Sequence, residues 1–414
     1  MPPDNTPWGS SEDAKWTVMV FMGAATFEGN EPLIGAAEDD LKEMRFVGSG
    51  DALNIFVQVH QGKDRVPRRA RITEDIPVEI NALGYVPEDQ RELGQGQALL
   101  NFIKWALTTA HHNPNNPAHY SLLVLWGHAY DFAIGREKTT DGEIDALDFA
   151  ELRRVLERLQ LDFGTPGAKL DILGFDACDL ATVEMACQLE PFAKYLLGSQ
   201  IGIPLPGLPY NRVLDRLRRP FGRLMGPAEF GSYVVRRFCE SYSAESRAVS
   251  MTLLDLNRAQ ELRAVADVLA LTLVSAIGNP DVLDRISSLF LESQTAQGKP
   301  FVDVADLCLN LLRNSEDLLV MEAAKALGDL LISPEPPVDG RSAFGGGRPF
   351  IVEHGRNTGQ TARLNGLSIY APHVAPERDF DAVRHLYNNF VFAQETRWSA
   401  LVHALAGHAL AGQA

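Results

Sequence analysis

Apolar residues in this chain come first in short unbroken runs and later at helical spacing. Trp16-Thr17-Val18-Met19-Val20-Phe21-Met22 is a run of strand length rich in β-branched and large side chains. Similar runs recur at Leu53 to Val59, Leu122 to Trp126, Leu170 to Phe175, Tyr195 to Gly198 and Met251 to Leu254. Between them Ala36 to Val47, Gln97 to Thr109, Phe149 to Leu161, Ala181 to Leu189 and Pro227 to Glu240 repeat their apolar positions every three or four residues. Near-continuous apolar strands alternating with amphipathic helices predict a mostly parallel sheet flanked by helices on both faces. From Asn257 to about Ile332 helix follows helix, with stops at Gly278-Asn279-Pro280 and Gly298-Lys299-Pro300. The expected layout is a disordered lead over 1–15, an α/β core over 16–255 and a mainly helical C-terminal region over 256–414 that returns one strand at 366–371.

Composition narrows the function classes. Of the 414 residues 45% are apolar and 22% charged, the balance of a chain that buries a large core. The net charge of −16 opposes sequence-independent binding to a polyanion, so no nucleic-acid partner is expected and a cationic substrate suits the surface better. Neither a basic and apolar leader at Met1-Pro2-Pro3-Asp4-Asn5 nor an apolar run of about 20 residues is visible, so a cytoplasmic protein without a membrane partner is expected. The four cysteines form no CxxC pair and read as reduced thiols. His111, His112 and His119 lack regular spacing, and His403 and His408 are five apart, so no metal site is expected. Gly345-Gly346-Gly347 lacks the lysine and hydroxyl residue of a phosphate loop, and no GxSxG elbow occurs.

Two strand ends carry chemistry. Leu122-Leu123-Val124-Leu125-Trp126-Gly127-His128 finishes on a histidine, and Leu173-Gly174-Phe175-Asp176-Ala177-Cys178 finishes on a cysteine that precedes a helix. In such sheets reactive groups gather at the carboxyl ends of strands. A helix amino terminus and a nearby imidazole are expected to lower the Cys178 thiol pKa, with His128 acting as general base and later as acid. Cys187, Cys239 and Cys308 have no such setting and read as core.

The chain resembles the clostripain family of bacterial cysteine peptidases, which shares the caspase-like (caspase-hemoglobinase) α/β fold. The match lies in the opening strand, in Asp40-Leu41-Lys42-Glu43-Met44, Trp126-Gly127-His128, Gly174-Phe175-Asp176-Ala177-Cys178, Val183-Glu184, Gly198-Ser199-Gln200 and Gly366-Leu367-Ser368-Ile369-Tyr370-Ala371-Pro372, in that order. The resemblance implies an endopeptidase with a His128 and Cys178 dyad and an acyl-enzyme. Its oxyanion hole would use the backbone N–H groups of Ala129 and Cys178. Most relatives have glycine at the position of Ala129, and alanine does not easily take φ > 0. Asp176 corresponds to the acid of the specificity pocket, which implies substrates with arginine, ahead of lysine, before the scissile bond. A second acid often follows the Ser-Gln pair, where this chain has Ile201.

Relatives are often zymogens. Ile134 to Thr140, read as an exposed polar loop, offers Arg136 and Lys138 for activating cleavage by the enzyme itself or by an upstream protease. The basic cluster Arg212, Arg216, Arg218, Arg219 and Arg223 is a second candidate for that cleavage, although the solvated face of a helix is the favoured reading of it. No cofactor is implied; calcium activates some relatives, and acidic composition alone places no site for it. A cytoplasmic protease would need restraint by a regulator, which suggests a role in stress, programmed death or defence. The rival reading from another class is a catalytically degenerate caspase-like fold kept for binding or scaffolding.

Overall fold

The computed structural model describes residues 15–24, 33–61, 66–91, 94–111, 119–130, 132–138, 144–162, 167–219, 222–243, 247–296, 299–332, 349–357, 361–372 and 380–411. Of the lead expected over 1–15, only Lys15 lies among these residues, and it opens the first strand. In chain order the strands are β1 (Lys15–Gly23), β2 (Leu53–His60), β3 (Arg68–Arg71), β4 (Gly84–Tyr85), β5 (His119–Gly127), β6 (Ala129–Tyr130) and β7 (Ala133–Lys138). They continue with β8 (Ile144–Asp148), β9 (Leu170–Asp176), β10 (Ala193–Gly198), β11 (Ser250–Asp255), β12 (Phe301–Asp303), β13 (Ile351–Arg356) and β14 (Ser368–Tyr370).

One nine-stranded sheet runs in the order β13-β11-β10-β9-β5-β1-β2-β3-β4. Its five middle strands, β10-β9-β5-β1-β2, are parallel, and the two strands at either edge pair antiparallel. Alternation along the parallel strands splits the core in two, because successive side chains leave a strand on opposite faces. Val18, Val20, Met22, Leu122, Val124 and Trp126 face the helices Ile34–Val47, Tyr210–Arg218 and Pro227–Ser241. Met19, Phe21, Leu123, Leu125, Leu173 and Phe175 face Gln95–Thr109, Phe149–Asp162, Val183–Leu189 and Ala259–Ala276. The helix Ile34–Val47 shows how the pattern produces this packing: Ala37, Leu41, Met44 and Val47 recur every three or four residues and are all buried.

The C-terminal region departs from expectation in its strands. The segment expected at 366–371 forms β14 over Ser368–Tyr370, which pairs antiparallel with β12 in a separate two-stranded sheet. The strand that returns to the large sheet is β13, whose Ile-Val-Glu-His-Gly-Arg sequence is too polar to show as an apolar run. The expected loop Ile134 to Thr140 is also corrected: Ala133–Lys138 is the middle strand of a small antiparallel sheet, β6-β7-β8. Its register shifts between Ile134 and Glu137, and a short irregular strand with charged residues escapes a periodicity reading. Among the described residues no helix is long and apolar enough to cross a membrane.

Candidate active site

The separation of fifty residues between His128 and Cys178 is a register. β5 and β9 are adjacent and parallel, with Leu122 opposite Ile172 and Trp126 opposite Asp176. Every facing pair differs by the same fifty positions, so His128 and Cys178 each stand two residues beyond a facing pair, at the same edge of the sheet. Neighbouring strands lie about 4.8 Å apart. That edge is the carboxyl end of the parallel strands, where loops converge.

The residues around His128 fix its backbone. Gly127 adopts φ +144, and a Cβ there would meet the Gly23 carbonyl oxygen at 2.9 Å, so the turn out of β5 demands glycine. Gly135 N–H donates to the His128 carbonyl at 3.0 Å, which directs the N–H of Ala129, across the same trans peptide, the other way. Ala129 pairs with Ile134 in the small sheet and is not among the positive-φ residues. The left-handed demand that the sequence raised for Ala129 therefore falls on Gly127. The imidazole of His128 is half-buried beside the Tyr130 ring, with centroids 5.7 Å apart, and burial lowers its pKa.

Cys178 departs from expectation. It sits in a turn rather than at a helix start: Asp179 has φ +62, and the next helix, Val183–Leu189, begins four residues later on its Thr182 cap. The thiol pKa is raised, first by burial and then by the Asp179 carboxylate, against a hydrogen bond from Ile203 N–H to Sγ at 3.3 Å and the Lys299 ammonium. Lys299 itself pairs with Asp179 at 3.4 Å. A raised thiol and a lowered imidazole are both neutral, which suits general-base activation on substrate binding rather than a standing thiolate.

Asp176 lies on the opposite face from Phe175, 5% exposed. Its Oδ2 accepts from Leu208 N–H at 3.0 Å and from the Tyr210 hydroxyl at 3.1 Å. Gly207, at φ +60, presses so close that a Cβ would meet Asp176 Oδ2 at 2.7 Å. Burial raises the Asp176 pKa to about 6 despite those two donors, and Glu43 pushes the same way. Asp40, missed as a site residue although its segment was singled out, accepts from Trp126 Nε1 at 2.7 Å and is held well above the usual carboxylate range by burial and by Asp176. Glu43 accepts from Asn211 N–H at 3.3 Å nearby. Ile201 is no part of this acidic group; it packs with Ala296 and Leu364.

Gln200 ties the site together. Its Nε2 donates to Asp303 Oδ2 and to Ser368 Oγ, both at 2.9 Å, and its Oε1 accepts from Gly366 N–H at 2.6 Å. Ala181 N–H donates to the Ser199 carbonyl and Ser368 N–H to the Ala181 carbonyl, each at 2.9 Å. Three motifs far apart in sequence thus meet beside the Cys178 turn. Arg136 and Lys138 lie on β7, and residues 139–143 fall outside the described residues. Among the described residues no group of three His, Cys, Asp or Glu side chains could hold a metal ion.

A mostly parallel, helix-flanked sheet of this kind is the caspase-like fold, and by its family match the chain is in class a cysteine endopeptidase. The clostripain family model, peptidase C11, matches residues 27–401, and the chain belongs to that family. Among solved structures the fold matches the inactive zymogen of a C11 protease from Parabacteroides distasonis, with TM-score 0.57 and 15% identity over 94% of this chain and 99% of that one. It also matches a secreted C11 cysteine protease from Bacteroides thetaiotaomicron bound to an irreversible peptide inhibitor, with TM-score 0.59 and 16% identity over 93% and 99%. A further match is the secreted C11 protease "iotapain" of the same organism, with TM-score 0.60 and 12% identity over 93% and 99%. No curated protein matches the chain significantly.

Proposed function

We propose that the chain cleaves peptides after arginine, and less readily after lysine, with Cys178 as nucleophile and His128 as acid and base. The shared register of β5 and β9, which leaves both residues two positions beyond a facing pair, is the observation that carries this reading. In the first step His128 takes the thiol proton as Cys178 Sγ bonds to the scissile carbonyl carbon. The oxyanion that forms is held by the N–H groups of Cys178 and Ala129. As the C–N bond breaks, His128 returns the proton to the leaving amine. Water, deprotonated by His128, then attacks the thioester and frees the thiol.

Asp176 selects the basic side chain, because a guanidinium can donate to both oxygens of a carboxylate while an ammonium cannot match that fork. Glu43 supports the selection by adding negative potential near Asp176, in place of an acid at position 201. The chain is made as a zymogen and activated by cleavage after Arg136 or Lys138. The irregular register of β7 between Ile134 and Glu137 supports local opening there.

The test is cleavage of a fluorogenic peptide series differing only in the residue before the scissile bond. Release after arginine, weaker release after lysine and none after aspartate are expected, all lost in Cys178→Ala. Activity that survives Cys178→Ala would assign the nucleophile elsewhere.

A further inference from the structure

Beside Cys178, on the face of the sheet away from Asp176, lies a cavity of about 270 Å³. Its walls include Tyr130, Phe132, Met185, Phe301, Tyr370 and Val383, with the Asp179–Lys299 pair among its few polar groups. Benzene fits an apolar cavity of roughly 150 Å³, so this one has room for a phenylalanine or leucine side chain. Its aromatic walls are packed against one another: Phe132 and Tyr370 have ring centroids 5.1 Å apart at 72°, and Phe301 and Tyr370 5.4 Å apart at 63°.

Two of its lining residues are held in strained backbone. Phe132 has φ +63 and Asp179 φ +62, conformations that cost free energy in a residue with a Cβ and that gather where a site is shaped by its surroundings. Met185 and Tyr370 are 1% and 2% exposed, so this wall is fixed by the core and is not a fold of surface loops.

We infer that this cavity binds the side chain of the residue after the scissile bond and that it selects a large apolar one. The inference rests on the proposed chemistry at Cys178. A peptide attacked there sends its basic side chain toward Asp176 on one face. The chain beyond the scissile amide leaves the carbonyl in the opposite direction, toward the face that carries the cavity. An apolar lining rewards burial of phenylalanine or leucine, offers glycine nothing and penalises an unpaired carboxylate. Val383 belongs to the helix Phe380–Tyr387, so this reading also gives the C-terminal region a part in selecting substrate.

The test uses the full chain, untreated and after limited trypsin digestion that is then quenched, on peptides of one sequence with Arg-X at the cleaved bond. With X as phenylalanine or leucine, kcat/KM is expected to exceed that for glycine by roughly tenfold or more and that for aspartate by more still. Val383→Trp, which fills the cavity, is expected to bring the phenylalanine-to-glycine ratio within about twofold. Equal rates across X in the wild-type chain overturn the inference whether or not that variant folds, and leave the peptidase reading intact. A ratio unchanged in a folded Val383→Trp protein overturns it too. Failure to cleave any peptide in either form strikes the peptidase reading itself, and the inference with it.

Discussion

Burial moves the two proposed reacting groups in opposite senses, raising the Cys178 thiol and lowering the His128 imidazole, so both are neutral near pH 7. The other cysteines are higher still. Cys239 is pushed up to about 12, and Cys187 and Cys308 are buried and raised further. A thiol reagent at pH 8 is therefore expected to modify Cys178 first in the folded protein, with peptide mapping as the readout. Asp176 has the converse problem. Its folded pKa of about 6 exceeds the ordinary 3.8, so the native state holds a proton that the unfolded chain gives up. The stability due to that proton is complete below about pH 4 and is lost as pH rises through 6. Asp176→Asn should therefore stabilise the protein at pH 8 by about 1–3 kcal/mol, with little change at pH 4, as thermal melts would record. The same variant should raise KM for arginyl substrates at least about a hundredfold, an effect of losing a charge-assisted pair. In the wild type, KM for those substrates should climb as pH falls below about 6, where Asp176 takes up its proton.

At the scale of elements, the parallel strands were legible because they are apolar on both faces, and the helices because their apolar positions keep a stripe. His128 and Cys178 were legible as strand endings. Their alignment was not, since register is set by pairing between strands that share no local signal. β7 and β13 escaped for a different reason: each is short and polar, and each is held by a neighbour rather than by its own pattern. The role of Gln200 was out of reach for the same reason. Its three partners lie 103 to 168 residues away. Gln200→Ala leaves the Asp303 carboxylate and the Gly366 N–H each short of a buried partner, which should cost about 2–4 kcal/mol in denaturant melts. Because Ile203 and Leu208 follow Gln200 in one loop, kcat/KM should also fall by about tenfold or more in protein that remains folded, as the contacts to Cys178 and Asp176 loosen.

The whole molecule is organised about one sheet edge. One face supplies a buried acidic group, the other an apolar cavity, and the cysteine stands between them. The C-terminal region contributes to this layout: β13 extends the sheet, and β14 with Phe301 and Tyr370 builds the cavity wall. If activation is by self-cleavage in β7, intact mass of purified wild type should show two fragments cut after Arg136 or Lys138, while Cys178→Ala stays whole. The most direct measurement of the central claim is covalent capture by a peptidyl-arginine acyloxymethyl ketone, read by intact mass and peptide mapping. A single adduct on Cys178, absent in Cys178→Ala and slowed at least about a hundredfold in His128→Ala, is the expected result. An adduct on Cys187, Cys239 or Cys308, or labelling indifferent to both substitutions, would contradict the assignment of the site.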